Sequence, residues 1–281
     1  MRLKILLCLA ATAWLSAQAT LNAQPTNATS PAQTQLHELV KKVQTKIQAG
    51  QNTEADLADE LKNFDTLIAG EKGAKTEDAA LIAFMKAQLY LEVIKDQDKG
   101  AELIKQIKAN YPDTKYGKNA DKVLAGIEKQ AAAKKIQSSL AVGSAFPDFA
   151  EKDLNGKPLS VAALKGKVVL VDFWATWCAP CRAELPNVIE TYKKHHGEGF
   201  EIIGVSLDAD RAKLDDFLKK QDGMTWPQYF DGEGWGNKLA GKYGVESIPF
   251  ALLIGPDGKI IGKDLRGEEL ETAVSAALPK K

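Results

Sequence analysis

Cysteine, histidine and methionine are scarce in this chain, with three of each among 281 residues. So few cysteines exclude a framework built on disulfides, which takes at least two or three bridges. A zinc centre needs paired Cys or His ligands at set spacings, and Cys178 and Cys181 have no second pair to complete such a set. His195 and His196 fall at the expected end of a helix, where a solvated face is the simpler reading. An excess of charge of one sign is also lacking, because 37 basic residues cancel 37 acidic ones. No electrostatic field therefore marks nucleic acid or an anionic membrane surface as a partner. No metal and no cofactor are expected. Long hydrophobic runs are missing too: the stretch Ile5 to Leu15 falls short of the roughly 20 residues that span a bilayer.

That stretch follows Arg2 and Lys4 and precedes Ala17-Gln18-Ala19, small residues of the kind a signal peptidase reads. Residues 1–19 are expected to be a secretory signal, and the protein to be exported, in a bacterium to the periplasm. Tethering by an uncleaved signal is the weaker alternative. Cys8 leaves with such a signal, and Cys178 and Cys181 become the only thiols of the mature chain. In an oxidising compartment a third thiol invites wrong pairing, so this economy suits a catalytic use of sulfur.

Residues 20–35 are mostly Ala, Asn, Thr, Gln, Ser and Pro and read as a flexible leader. Apolar residues then recur at helical spacing, first Leu36, Leu39, Val40, Val43 and Ile47, then Leu57, Leu61, Phe64, Leu67 and Ile68. Further helices are expected over about 77–94, 99–109 and 116–137, which makes 36–137 an all-α domain. Within it Leu81 to Pro112 resembles one tetratricopeptide unit, with Phe84, Leu91, Gly100, Ile104 and Ile107 in the positions of the helix pair. The resemblance implies a groove for a protein partner; a small bundle that packs on a neighbour or dimerises is the alternative.

After Ala131-Ala132-Ala133-Lys134-Lys135 the pattern changes to strands and turns, which sets a boundary at 137–142 and a second domain over 142–281. Asn155-Gly156 marks a hairpin, and Val168 to Phe173 is a continuously apolar strand of the kind buried on both faces. A helix from about Cys178, a strand over 201–207, helices over 212–221 and 237–243, strands over 250–254 and 259–263 and a helix over 268–278 complete the order. Alternating strands and helices closed by an antiparallel hairpin specify an α/β fold, a mixed sheet with helices on both faces.

The densest chemistry is Trp174-Ala175-Thr176-Trp177-Cys178-Ala179-Pro180-Cys181, set between the apolar strand and its helix. A Cys-x-x-Cys at the first turn of a helix puts one sulfur at the positive end of the helix dipole, which favours thiolate, with a second sulfur in disulfide reach. Thiol–disulfide exchange is the expected reaction, against half a zinc site or an inert bridge. Trp174 and Trp177 are expected to form the apolar rim of this centre. Asp172 lies six residues before Cys178, where a lone acid amid Val, Leu and Phe needs either work or a partner.

Residues 142–278 resemble the thioredoxin-like superfamily, and within it the exported redoxin branch that includes the membrane-tethered disulfide reductases of cytochrome c maturation. The likeness rests on Val-Gly-Ser-Ala-Phe-Pro-Asp-Phe at 142–149, on Trp-Cys-Ala-Pro-Cys, on Trp226-Pro227 and on Tyr243-Gly244-Val245-Glu246-Ser247-Ile248-Pro249. It implies a thioredoxin-like sheet behind the helical domain, with Cys178 as the exposed nucleophile and Cys181 as the partly buried resolving thiol. It also makes Pro249 a cis-proline that presents Ile248 to an extended substrate segment beside Trp177 and Pro180. Asp172 and Glu184 match acids of relatives and become candidate proton acceptors for Cys181. The activity implied is an exported thiol–disulfide oxidoreductase that reduces disulfide-bearing proteins with electrons from a membrane thiol donor. An oxidase or isomerase with the same cysteines, or a helical adaptor governed by a redox-sensing domain, are the alternatives. Phe250 stands where many relatives carry Thr, which bears on substrate preference.

Overall fold

The computed structural model describes residues 30–71 and 76–278, so the expected signal, with Cys8, lies outside the described residues. Among those residues no helix is long and apolar enough to cross a membrane. The chain divides into two compact units between Lys129 and Gln130.

The first unit holds α1 (Pro31–Gln48), α2 (Ala58–Gly70), α3 (Glu77–Gln88) with a π-helical turn (Leu89–Ile94), α4 (Gln97–Asn110) and the start of α5 (Lys115–Ser139). The heptad-like apolar faces meet as expected: Leu36, Val40 and Val43 pack with Leu57, Phe64, Ile82 and Leu89. Each such side chain contributes roughly 1.5–3 kcal/mol on burial. One expectation needs correction, because α1 begins inside the presumed leader, at residues 31–35. Ser30 Oγ accepts from the Gln33 N–H at 3.1 Å, and Pro31 supplies the fixed φ of a first helical residue. Composition hid a start signal that capping chemistry carries.

The boundary expected at 137–142 also differs. The division falls inside α5, which continues unbroken because the Ala- and Lys-rich run contains no breaker before Gly143. Its last turns belong to the second unit: Ile136 and Leu140 join that core, and Gln137 Nε2 donates to the Gly244 carbonyl at 2.6 Å.

In the second unit a hairpin, β1 (Glu151–Lys152) and β2 (Pro158–Leu159), precedes β3 (Val168–Trp174), α6 (Ala179–His195), β4 (Phe200–Ser206), α7 (Arg211–Lys220), β5 (Gln228–Tyr229) and α8 (Lys238–Lys242). Strands β6 (Phe250–Ile254) and β7 (Ile260–Lys263) and helix α9 (Glu268–Ala277) are the last elements among the described residues. The five strands run β5-β4-β3-β6-β7, with β3 parallel to β4 and antiparallel to β6. This is the thioredoxin-like mixed sheet with helices on both faces. β3 is buried at all seven positions, as its apolar run requires of a central strand. Its Phe173 meets Phe250 and Tyr243 edge-on at 5.7 and 5.9 Å on the face away from α6. β5 was not expected from sequence; two residues give no periodicity to read.

Gly244 follows α8 at φ +62, and a Cβ there would stand 2.6 Å from the Ala133 carbonyl oxygen of α5. Only glycine suits both the left-handed backbone and this close approach. Gly244→Ala is therefore expected to lower stability by about 2 kcal/mol. Thermal unfolding of the whole protein checks this, and an unchanged midpoint would show that the last turns of α5 yield freely.

Candidate active site

The end of a central strand sets the site. β3 stops at Trp174, whose carbonyl accepts from the Leu207 N–H at 2.8 Å, and the chain turns into α6 through Ala175, Thr176 and Trp177. Cys178 is the N-cap of α6, and its sulfur accepts from the Cys181 N–H at 3.2 Å. An N-cap is where unpaired amides and the positive end of the dipole converge, so a Cys178 thiolate gains from both. Pro180 occupies the first turn, where a missing N–H costs nothing. The two sulfurs are joined as a disulfide, with Cα atoms 5.3 Å apart. The expected contrast between an exposed Cys178 and a partly buried Cys181 is absent in this oxidised state. Cys178 is 4% and Cys181 6% exposed, because both sulfurs turn inward to bond at the edge of the core.

Register places Asp172 between Gly204 of β4 and Ala251 of β6, with the Gln228 side chain of β5 lying over Gly204. Its side chain lines a small cleft with Cys181, Glu184, Pro249 and Arg266. Four residues singled out from sequence thus meet. Burial pushes the Asp172 carboxyl up to about 6 from 3.8; the Arg266 cation pulls it down, and the Glu184 carboxylate pushes it further up. No hydrogen bond offsets the burial.

Glu184 is half-buried rather than a solvated helix residue. Its carboxylate accepts from the Gly267 N–H at 2.7 Å and from Asn187 Nδ2 at 3.2 Å. It therefore ties α6 to the start of α9. Arg266, which sequence reading missed, reaches the cleft because its segment is pinned on both sides. Asp264, at φ +53, binds Ala251 through both its backbone N–H and its Oδ1, and Gly267 binds Glu184. The guanidinium itself lies near Asp264 Oδ1 at 3.7 Å. No motif announces such a residue, since it comes from a loop more than eighty positions away from Cys181 in the chain. A lone acid in an apolar strand was the available signal that a cation should be sought.

The Ile248-Pro249 bond is cis, and both residues are half-buried beside the cleft. Trp177 is 52% exposed and forms a rim. Trp174 does not: it is buried, with its ring on Phe217 at 5.4 Å and its Nε1 donating to Gln228 Oε1 at 2.9 Å. Strand alternation puts it on the core face below the cysteines. His195 also departs from expectation. It is buried at the end of α6, with Nδ1 3.0 Å from Glu198 and Nε2 3.6 Å from Glu271, whereas His196 stays half-exposed. The helix face that holds Tyr192 and Ile189 extends one turn further than the charged local sequence suggests.

This arrangement holds two bonded sulfurs, one at a helix cap and one beside a carboxyl with raised proton affinity. It is suited to exchange between dithiol and disulfide.

Known proteins agree with that chemistry. A family profile described as Redoxin matches residues 141–278. A thiol-disulfide oxidoreductase ResA from Bacillus cereus is 35% identical over 144 residues, which are 51% of this chain and 80% of that protein. The ResA of Bacillus subtilis is 34% identical over 125 residues, 44% of this chain and 68% of that protein. A solved thioredoxin domain of a Bacteroides vulgatus thiol-disulfide oxidoreductase is 35% identical, spanning 50% of this chain and 100% of that one at a TM-score of 0.46. Sequence likeness across the whole catalytic unit, joined to the paired cysteines at the cap of α6, makes this chain a member of the redoxin branch of the thioredoxin-like thiol-disulfide oxidoreductases.

Proposed function

We propose that the protein is exported and reduces protein disulfides outside the cytoplasm, in the periplasm of a bacterium, with electrons from a membrane thiol donor. The observation that carries the direction is the pair of carboxyls, Asp172 and Glu184, that share a cleft with Cys181. Anionic neighbours disfavour a thiolate at Cys181, so the gain that the helix cap gives a Cys178 thiolate is offset at the second sulfur, and the dithiol is held less tightly in the reduced state. Such a centre gives its electrons away. Export is supported by the basic and apolar start of the chain, and the donor by the likeness to proteins named ResA and to reductases of cytochrome c maturation.

In the reducing direction the Cys178 thiolate attacks one sulfur of the substrate disulfide. A mixed disulfide forms, and the other substrate sulfur leaves as a thiolate that takes a proton from water. Cys181 then passes its proton to Asp172 and attacks Cys178 Sγ, forming the internal disulfide and expelling the second substrate sulfur. Two electrons have moved to the substrate, and the donor dithiol later restores the pair. Asp172 serves because its carboxyl, at about 6, is ionised at neutral pH yet close in proton affinity to a thiol. Ile248 and Pro249 form the ledge for the substrate segment, with Trp177 and Pro180 opposite.

Insulin reduction by the pre-reduced protein should vanish in Cys178→Ser, and the potential of the pair should lie below about −180 mV, the value of an isomerase. A potential near the roughly −120 mV of a strong oxidant would reverse the assigned direction.

For Asp172→Asn the rate of internal disulfide formation should fall by about 100-fold at pH 7. The limb rising through about pH 6 should disappear from the profile, because below it the native carboxyl is already protonated. The same variant should be more stable. A carboxyl carried from 3.8 to about 6 binds a proton more tightly in the fold than in the unfolded chain. Its contribution is fully present below pH 3.8, is lost as pH rises through about 6, and leaves a deficit on the order of 3 kcal/mol above that. Denaturant melts at pH 4 and pH 8 measure this: a gain confined to the higher pH is expected, and an equal gain at both would deny the burial penalty.

A further inference from the structure

Large apolar side chains are seldom exposed here: among the described residues only Val142, Trp177 and Trp235 are, at 65%, 52% and 46%. Two of the three lie together. The rings of Trp177 and Trp235 are 6.0 Å apart at 55°, and Trp177 is the residue just before the N-cap cysteine. An isolated exposed apolar residue calls for no explanation, but two tryptophans side by side at a reactive disulfide do.

Their loops are also fixed by a common anchor. Asp208, itself buried, accepts from the Thr176 N–H at 3.1 Å, from Thr176 Oγ1 at 2.6 Å and from Ser206 Oγ at 2.8 Å, which immobilises the approach to Trp177. On the other side Trp235 sits in a short 3-10 turn, Gly234–Gly236. Asp231 accepts there from the Glu233 N–H at 3.1 Å, the Lys238 N–H at 2.8 Å and Asn237 Nδ2 at 3.0 Å. Asn237 Nδ2 lies 3.4 Å from the Ser206 carbonyl as well. Both tryptophan loops thus hang from Ser206 at the end of β4. Buried polar clamps of this kind keep the rings in place before anything binds, which removes much of the ordering cost of a contact.

We propose that Trp235 is a specificity-determining residue, which with Trp177 receives an apolar side chain flanking the cysteine of a polypeptide disulfide. Resting on the reductase reading above, the inference names its substrate class: disulfides carried on a chain with an apolar neighbour, in preference to small hydrophilic disulfides. The pair adjoins the cysteines, so a substrate segment crossing them brings its flanking residue onto the rings. The disulfide is nearly covered at 4% and 6% exposure, which makes the surrounding surface rather than the sulfurs the larger part of any encounter. Indole faces take apolar groups and tolerate different ones, so the contact selects a class and not one sequence.

The test is single-turnover oxidation of the pre-reduced full chain by three probes: a peptide disulfide with Leu beside its cysteine, the same peptide with Ser there, and oxidised glutathione. Acid quenching and mass shift report the rate. The wild type should prefer the Leu peptide over both other probes, and Trp235→Ala should cut that preference roughly tenfold, the scale of one lost aromatic contact. Trp235→Phe should keep most of it, and the reduction potential of Trp235→Ala should match the wild type. An unchanged preference in Trp235→Ala overturns the assignment, as does a loss shared equally by all three probes. If the wild type leaves every probe oxidised, the reductase reading itself fails, and this inference falls with it.

Discussion

A strand buried at every position cannot carry a charge cheaply, yet β3 carries Asp172. The sheet around it is built to that constraint. Gly204 and Ala251 flank it in register, and the Gln228 side chain of β5 takes up the room over Gly204. The cation lining the cleft comes from the segment between β7 and α9, held by Asp264 against Ala251 of β6 and by Gly267 against Glu184. Arg266 does not neutralise the acid fully, because burial still dominates and leaves the carboxyl near 6. A carboxyl in that range changes ionisation close to neutral pH, which an unperturbed aspartate would not do.

The same constraint explains the second acid. Glu184 lies one turn past Cys181 and adds to the proton affinity of Asp172 through its charge. Its oxygens are engaged by Gly267 and Asn187, so its geometric duty is to fasten α9 and the Arg266 segment to the catalytic helix. Sequence position alone gave the two acids the same duty; hydrogen bonds separate them. Asp172 is raised in proton affinity by its burial, while Glu184 is tied down by its hydrogen bonds, pushes Asp172 further up and holds the Arg266 segment in place.

What could be read from sequence was whatever is local. The apolar run of β3, the Cys-x-x-Cys after it, the alternation of strand and helix and the closing hairpin all follow from patterns within ten residues, and each forms where expected. The cis Ile248-Pro249 bond was legible only through family likeness, since nothing in one X-Pro pair states its isomer. Features that depend on pairing across the fold stayed hidden. β5 is too short for periodicity, α5 runs past the compositional break because alanine favours continuation, and buried His195 has Glu271 of α9 beside it as well as the nearby Glu198. Arg266 and Trp235 lie in loops, where no repeat discloses which way a side chain faces.

These hidden residues share a logic with the visible ones. The β4 end supplies Ser206 and Asp208 to hold the loop before Cys178, and the β6 side supplies Pro249 and the anchor for Arg266. The centre is thus built from the carboxyl ends of β3 and β4 and the start of the antiparallel β6, the edge where loops from both faces can converge. The disulfide and the Asp172 carboxyl occupy the inner side of that edge, where burial keeps the carboxyl's proton affinity raised. The exposed indole rings occupy the outer side. Separating the two lets the apolar surroundings of the acid stay closed while the surface that meets other chains stays open, a division that a single exposed cysteine pair on a flat surface could not maintain.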